Sequence, residues 1–186
     1  TIECIRTYLK IKKKLEYSEK EIICTNGDKQ AIFQLLFYLC NEGDEIILPT
    51  PAWPGYTNII NLIGAKPIYL ETTFENNYQI DPLLLEKLIN NKTKAIILCN
   101  PHNPTGVMQN YETMYKLSKI VEKNQIYVID DQIFELLDFY SSHISMASFE
   151  NVKKYTFTLN SLSKGYGMSG LRFGFIAGPD NHINRV

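Results

Sequence analysis

With 186 residues, 45% of them hydrophobic and 21% charged, the chain has the length and composition of one globular domain with a full core. Nineteen basic against twenty acidic residues leave a net charge of -1, which gives no basic excess for nucleic acid. The longest apolar runs are too short to span a bilayer, so no membrane is expected, and the first residues lack the pattern of a signal peptide. Cys4, Cys24, Cys40 and Cys99 form no C-x-x-C pair, so neither a metal site nor dithiol chemistry is expected, and four buried free thiols in a cytoplasmic protein fit best.

In chain order, residues 2–14 suit a helix and residues 21–25 a strand. Ile32, Leu35, Leu36 and Leu39 recur at helical spacing and predict a helix over 28–40, followed by strands over 45–48 and 67–71. Asp81 and Pro82 supply an N-cap and a first-turn proline for a helix over 83–90. A strand over 94–100 leads to a helix from about Asn110, with Met114, Leu117, Ile120 and Val121 on one face. Strands over 126–131, 155–160 and 172–177 complete the series. This alternation predicts an α/β fold with a mainly parallel seven-stranded sheet and helices on both faces. Only about a dozen glycine-rich residues join the last two strands, too few for a crossover helix, so the last strand is expected to run antiparallel. Ligands of such sheets bind beyond the carboxyl ends of the strands.

Several segments at those ends have the composition of a binding site. Thr25-Asn26-Gly27-Asp28-Lys29-Gln30 turns from a strand into a helix, where backbone N–H groups suit a phosphate. In Asn100-Pro101-His102-Asn103-Pro104-Thr105-Gly106, prolines on either side hold the Asn103 amide in a defined direction. Asp131 ends a very apolar strand and needs a partner there. Ser161-Leu162-Ser163-Lys164 follows the sixth strand, and Arg172 brings a fork of donors that matches phosphate. A lysine at a strand mouth can become nucleophilic when burial or neighbouring cations lower its pKa. Trp53, the only tryptophan, follows a strand and could stack on a flat ring. Two motif matches mislead. Gly165–Gly170 reads G-x-G-x-x-G but runs into a strand rather than opening a helix. Ser161-x-x-Lys164 lacks the companion tripeptides of the serine-lysine hydrolases.

Taken together and in order, these segments resemble the fold-type I pyridoxal-phosphate enzymes, specifically the class I/II aminotransferase family, over nearly the whole chain. Its strongest elements are Asn100–Gly106 and Ser161–Lys164 with Gly170-x-Arg172-x-Gly174. The resemblance implies an aspartate-aminotransferase-like large domain binding pyridoxal 5'-phosphate. In that pattern Lys164 is the Schiff-base lysine that also moves the α-proton, and Asp131 pairs with the pyridine nitrogen so that the ring acts as an electron sink. Asn103 matches the asparagine that bonds the ring hydroxyl and approaches the substrate carboxylate, and Trp53 matches the aromatic that stacks on the ring. Gly27, Asp28 and Lys29 match the phosphate-binding turn, with Ser161 and Arg172 as side-chain phosphate ligands.

The sequence departs from the pattern at three positions. Phe134 stands where a tyrosine usually bonds the ring oxygen, and Gln132 replaces a common glutamate. Asp28 puts an acid in the phosphate turn, tolerable when its carboxylate points away, for example as a helix cap. The resemblance also implies an N-terminal arm and a C-terminal small domain outside residues 1–186, and a homodimer in the full-length protein. The implied function is transfer of an amino group between an amino acid and a 2-oxo acid. The alternatives are a lyase or cyclase of the same fold, such as a carbon–sulfur lyase or an aminocyclopropane-carboxylate synthase, and a non-catalytic aminotransferase-like binding module.

Overall fold

The computed structural model describes residues 1–140 and 143–186. Its elements follow as α1 (Ile2–Tyr8), β1 (Ile22–Thr25), α2 (Asp28–Leu39), β2 (Glu45–Thr50), α3 (Pro54–Leu62), β3 (Lys66–Glu71), α4 (Pro82–Leu88), β4 (Thr93–Cys99), α5 (Tyr111–Asn124), β5 (Tyr127–Asp131), β6 (Thr156–Ser161), β7 (Gly174–Ala177) and α6 (Asp180–Ile183). The helix expected over 2–14 changes character part-way: α1 runs into a π-helical turn at Leu9–Lys13 and stops at Lys14, whose φ is 56°. Asp81 caps α4 by accepting the Leu83 amide at 2.8 Å, behind Pro82 in the first turn. Asn110 does the same for α5 through the Thr113 amide at 2.9 Å. Helix α3 was not anticipated. Its signals are Pro54 in the first turn and the inward face of Tyr56, Ile59 and Ile60.

The strands form one sheet in the order β1-β7-β6-β5-β4-β2-β3. Parallel pairing joins β3, β2, β4, β5 and β6, while β7 runs antiparallel to both β6 and β1. The short connection between β6 and β7 thus has the expected effect. Central strands such as Ala95–Cys99 are apolar at almost every position because helices cover both faces. At the edge, β3 carries Pro67, whose missing N–H leaves no ladder bond unmade there.

One face packs Ile97, Ile129, Phe157 and Leu159 against Ile32, Leu35 and Leu36 of α2 and Ile60 of α3. The other packs Ile96, Leu98 and Val128 against Leu85 of α4 and Met114, Leu117 and Val121 of α5. A third cluster sets Ile5 and Leu9 against Ile22 and Phe175. Because side chains alternate along a strand, the adjacent acids Asp130 and Asp131 face opposite sides of β5. Asp130 accepts from Gln132 Nε2 at 2.7 Å, the Ser145 hydroxyl at 2.9 Å and the Met146 amide at 2.8 Å. Gln132 therefore serves Asp130 on the face away from Asp131.

All four cysteines are free, but only Cys40 and Cys99 are buried; Cys4 and Cys24 are exposed, which corrects the expectation of four buried thiols. Cys24 lies at an outward-facing position of the edge strand β1. Among the described residues, no helix is long and apolar enough to cross a membrane, and no group of three or more His, Cys, Asp or Glu could hold a metal ion.

Phe157 is fully buried, and a Cβ added at Gly178 would stand 2.5 Å from its ring. Phe157→Ala should lower stability by about 3–5 kcal/mol, read by chemical denaturation.

Candidate active site

The turn between β1 and α2 closes on a guanidinium. Thr25 Oγ1 donates to the Gly27 carbonyl at 3.1 Å, and Gly27 takes a φ of 83° as the N-cap of α2, where no side chain caps the helix. Arg172 donates from Nη2 to the Asn26 carbonyl at 3.1 Å and from Nη1 to the Ser169 carbonyl at 2.8 Å. A Cβ at Gly27 would stand 2.1 Å from Arg172 Nη2, so only glycine allows both this φ and this approach. Arg172 itself is left-handed, with φ 52°, which is why β7 begins at Gly174 rather than at residue 172. Gly174 presses on the same turn, since a Cβ there would lie 2.9 Å from the Gly27 carbonyl carbon.

Beyond β4, the loop carrying Asn103 is tied down from several sides. Fully buried Asn100 accepts the Gln109 amide at 3.0 Å. The His102 amide donates to Val107 at 2.9 Å, and the Gly106 amide returns to His102 at 2.7 Å. The Asn100-Pro101 and Asn103-Pro104 bonds are both cis.

Asp131, 2% exposed at the end of β5, takes the Tyr56 hydroxyl on Oδ2 and the Ile133 amide on Oδ1, the latter at 3.1 Å. Burial pushes its carboxyl up to about 6, against the pull of these two donors. Trp53 stands edge-on to Tyr56 at 5.2 Å, with Lys29 Nζ 5.4 Å from its ring centre. Gly55 makes room for the indole, because a Cβ there would lie 2.1 Å from the ring. The loop after β5 is anchored from behind, where Glu135 accepts from Asn160 Nδ2 at 2.6 Å and meets Lys13 in a buried ion pair. Asn160 Oδ1 in turn accepts the Ser161 amide at 2.7 Å.

These elements enclose a cavity of about 480 Å³. Asp28, Lys29, Trp53, Asn103, Asp131, Phe134, Lys164 and Arg172 line it, together with Tyr56, Ile133, Ser163 and Ser169, which the sequence reading did not single out. Gly27 stands at its edge against Arg172. Ser161 does not line this cavity. It faces an adjoining apolar one with Ile5, Tyr8 and Phe173, and its Oγ accepts the Ser163 amide at 3.2 Å. Tyr56 was legible only through α3, since nothing in the sequence couples it to an acid 75 residues away.

The family model for aminotransferase class I and II matches residues 2–186. The chain is 39% identical over 174 residues to an aspartate aminotransferase of Bacillus sp. (strain YM-2), which covers 92% of this chain and 44% of that protein. It is 35% identical to a probable N-acetyl-LL-diaminopimelate aminotransferase of Bacillus subtilis, covering 99% of this chain and 47% of the relative. An aromatic aminotransferase from Pyrococcus horikoshii superposes with a TM-score of 0.95 at 32% identity, over 99% of this chain and 50% of that one. The chain belongs to the class I and II aminotransferase family. It spans a little under half the length of the curated relatives it matches.

Gly174→Ala should cost about 1–3 kcal/mol of stability, because the added methyl meets backbone that cannot give way; thermal melts check this. Asp131 offers a pH test. Its folded value of about 6 lies above the usual carboxylate range, so the folded state holds a proton that the unfolded chain has lost between about pH 4 and 6. The stability it contributes is therefore complete below about pH 4 and lost as the pH rises through 6, a loss of roughly 3 kcal/mol at most. Wild type should lose more stability over this range than Asp131→Asn, and equal slopes would show that Asp131 ionises normally.

Proposed function

We propose that the cavity binds pyridoxal 5'-phosphate through Lys164, and that the protein carrying this chain moves an amino group between an amino acid and a 2-oxo acid. The observation that supports this most is the meeting of Lys164, Asp131 and Arg172, from three separate strand ends, around one cavity of about 480 Å³. The residues present fit the cofactor. A phosphate suits the end where the uncapped first turn of α2, the bare Cα of Gly27 and the Arg172 guanidinium come together. A protonated ring nitrogen suits Asp131, which has one donor on each oxygen and acceptor capacity left over.

When bound, the cofactor supplies a cationic ring that delocalises the electrons of a broken Cα–H bond. The roles of the residues follow the family pattern. Lys164 Nζ attaches the cofactor and takes the α-proton from the substrate. The Asp131 carboxylate keeps the proton on the ring nitrogen, with Tyr56 holding that carboxylate in place. Trp53 covers a ring face and excludes water, and Arg172, Lys29 and the backbone of the Gly27–Asp28 turn hold the phosphate end. Asn103 donates its amide to the ring oxygen and approaches the substrate carboxylate. Phe134 has no hydroxyl to add a second donor to that oxygen. Aspartate is the first amino acid to test, since the Bacillus relative is named for it. The family resemblance extends the reading to a cytoplasmic homodimer.

The test uses the full-length protein. After incubation with pyridoxal phosphate and borohydride, a mass increase should appear on the peptide containing Lys164 and be lost in Lys164→Ala. Attachment to another lysine would refute the assignment. In single turnovers with amino acids, formation of pyridoxamine phosphate marks a transaminase, whereas release of ammonia and pyruvate would mark a lyase.

A further inference from the structure

Asp28 lines the cavity, and its setting is not explained by the chemistry above. An acid in the first turn of a helix ordinarily caps the helix or faces water near its positive end. Asp28 does neither. It is 7% exposed and makes no capping bond, and its Oδ1 is buried without a hydrogen-bond partner among the described residues. Asp131 of β5 and Tyr56 of α3 line the same cavity, and the charge of Asp131 acts on the Asp28 carboxyl. Lys29, Lys164 and Arg172 share its cavity. Two of these cations are engaged elsewhere, with Arg172 bound to the Asn26 and Ser169 carbonyls and Lys29 lying over Trp53.

Two carboxyls buried around one cavity cannot both ionise without large cost. They are not equally provided for. Asp131 has the Tyr56 hydroxyl and the Ile133 amide to stabilise its anion, and Asp28 has neither. We infer that Asp28 and Asp131, buried around one cavity, form an acid pair that holds one proton, with Asp28 as the protonated member and Asp131 as the anion.

Burial, and after it the charge of Asp131, hold the Asp28 carboxyl well above the usual range. In this arrangement Asp28 is a positioning residue. By keeping its proton it leaves Asp131 as the single anion for the ring nitrogen and adds no negative charge beside the phosphate turn. That consequence rests on the cofactor reading above, whereas the pair itself does not.

Infrared difference spectra of the full-length protein at pH 7, without and with pyridoxal phosphate, test the pair. Wild type should show the C=O stretch of a protonated buried carboxyl that disappears in Asp28→Asn and persists in Asp131→Asn. Should Asp28→Asn not fold, Asp28→Ala serves for the assignment. The absence of such a band, or its loss only in Asp131→Asn, overturns the inference. Quenching of Trp53 fluorescence by pyridoxal phosphate gives an independent reading. Asp131→Asn, which removes the one anion of the pair, should weaken binding more than Asp28→Asn, and the reverse order would mean that Asp28 works as the anion. If wild type does not bind pyridoxal phosphate at all, the functional reading fails while the infrared band still decides the pair.

Discussion

A carboxylate shut away from water at the end of a central strand is the constraint around which this cavity is organised. A buried charge is tolerable only when its hydrogen-bonding capacity is met. For Asp131 the two donors come from different directions: the Ile133 amide from the turn just beyond β5, and the Tyr56 hydroxyl from α3. The second donor exists because Pro54 starts α3 where it does. The same start sets Trp53 edge-on to Tyr56 and leaves Gly55 to accommodate the indole. The aromatic wall of the cavity and the compensation of its acid thus share one origin.

The rest of the site is held by backbone fit rather than by large side chains. Gly27, Gly174 and left-handed Arg172 interlock so closely that a methyl group on either glycine would meet its neighbour inside van der Waals distance. That fit brings a guanidinium onto an uncapped helix start through backbone carbonyls. Behind the site, Lys13, Glu135 and Asn160 link the segment after α1, the loop after β5 and the end of β6. The strand end that leads to Lys164 is therefore braced from the far side of the cavity.

The consecutive acids of β5 show how alternation assigns different work to identical residues. Asp130 gathers Gln132, Ser145 and the Met146 amide on Oδ2 on the α5 face, with its Oδ1 buried and unpaired among the described residues, while Asp131 reaches the cavity on the α2 face. Asp28 is a further buried acid, with no comparable set of donors among the described residues. Its burial inverts the expectation that an acid in the phosphate turn would point outward as a cap.

The seven strands, most of the helices and the reversed last strand were legible in the sequence. Apolar runs, cap residues and connection lengths are local signals, and a dozen residues cannot cross a sheet. The cavity-lining Lys29, Trp53, Asn103, Asp131, Lys164 and Arg172 were legible too, because strand-end residues of a parallel sheet share one edge, whereas Phe134 was named only by the family resemblance. Helix α3 and Tyr56 were not read, since the apolar face of that short helix becomes distinct only once it packs on the sheet. Which serine faces the cavity was likewise beyond the sequence. Ser161 and Ser163 lie two residues apart, and the turn after β6 sends the first to a neighbouring cavity and the second to this one. The inward course of Asp28 was decided only by the tertiary structure, because a side chain's direction at a helix start depends on its surroundings, and here it shares a cavity with Tyr56 of α3 and Asp131 of β5.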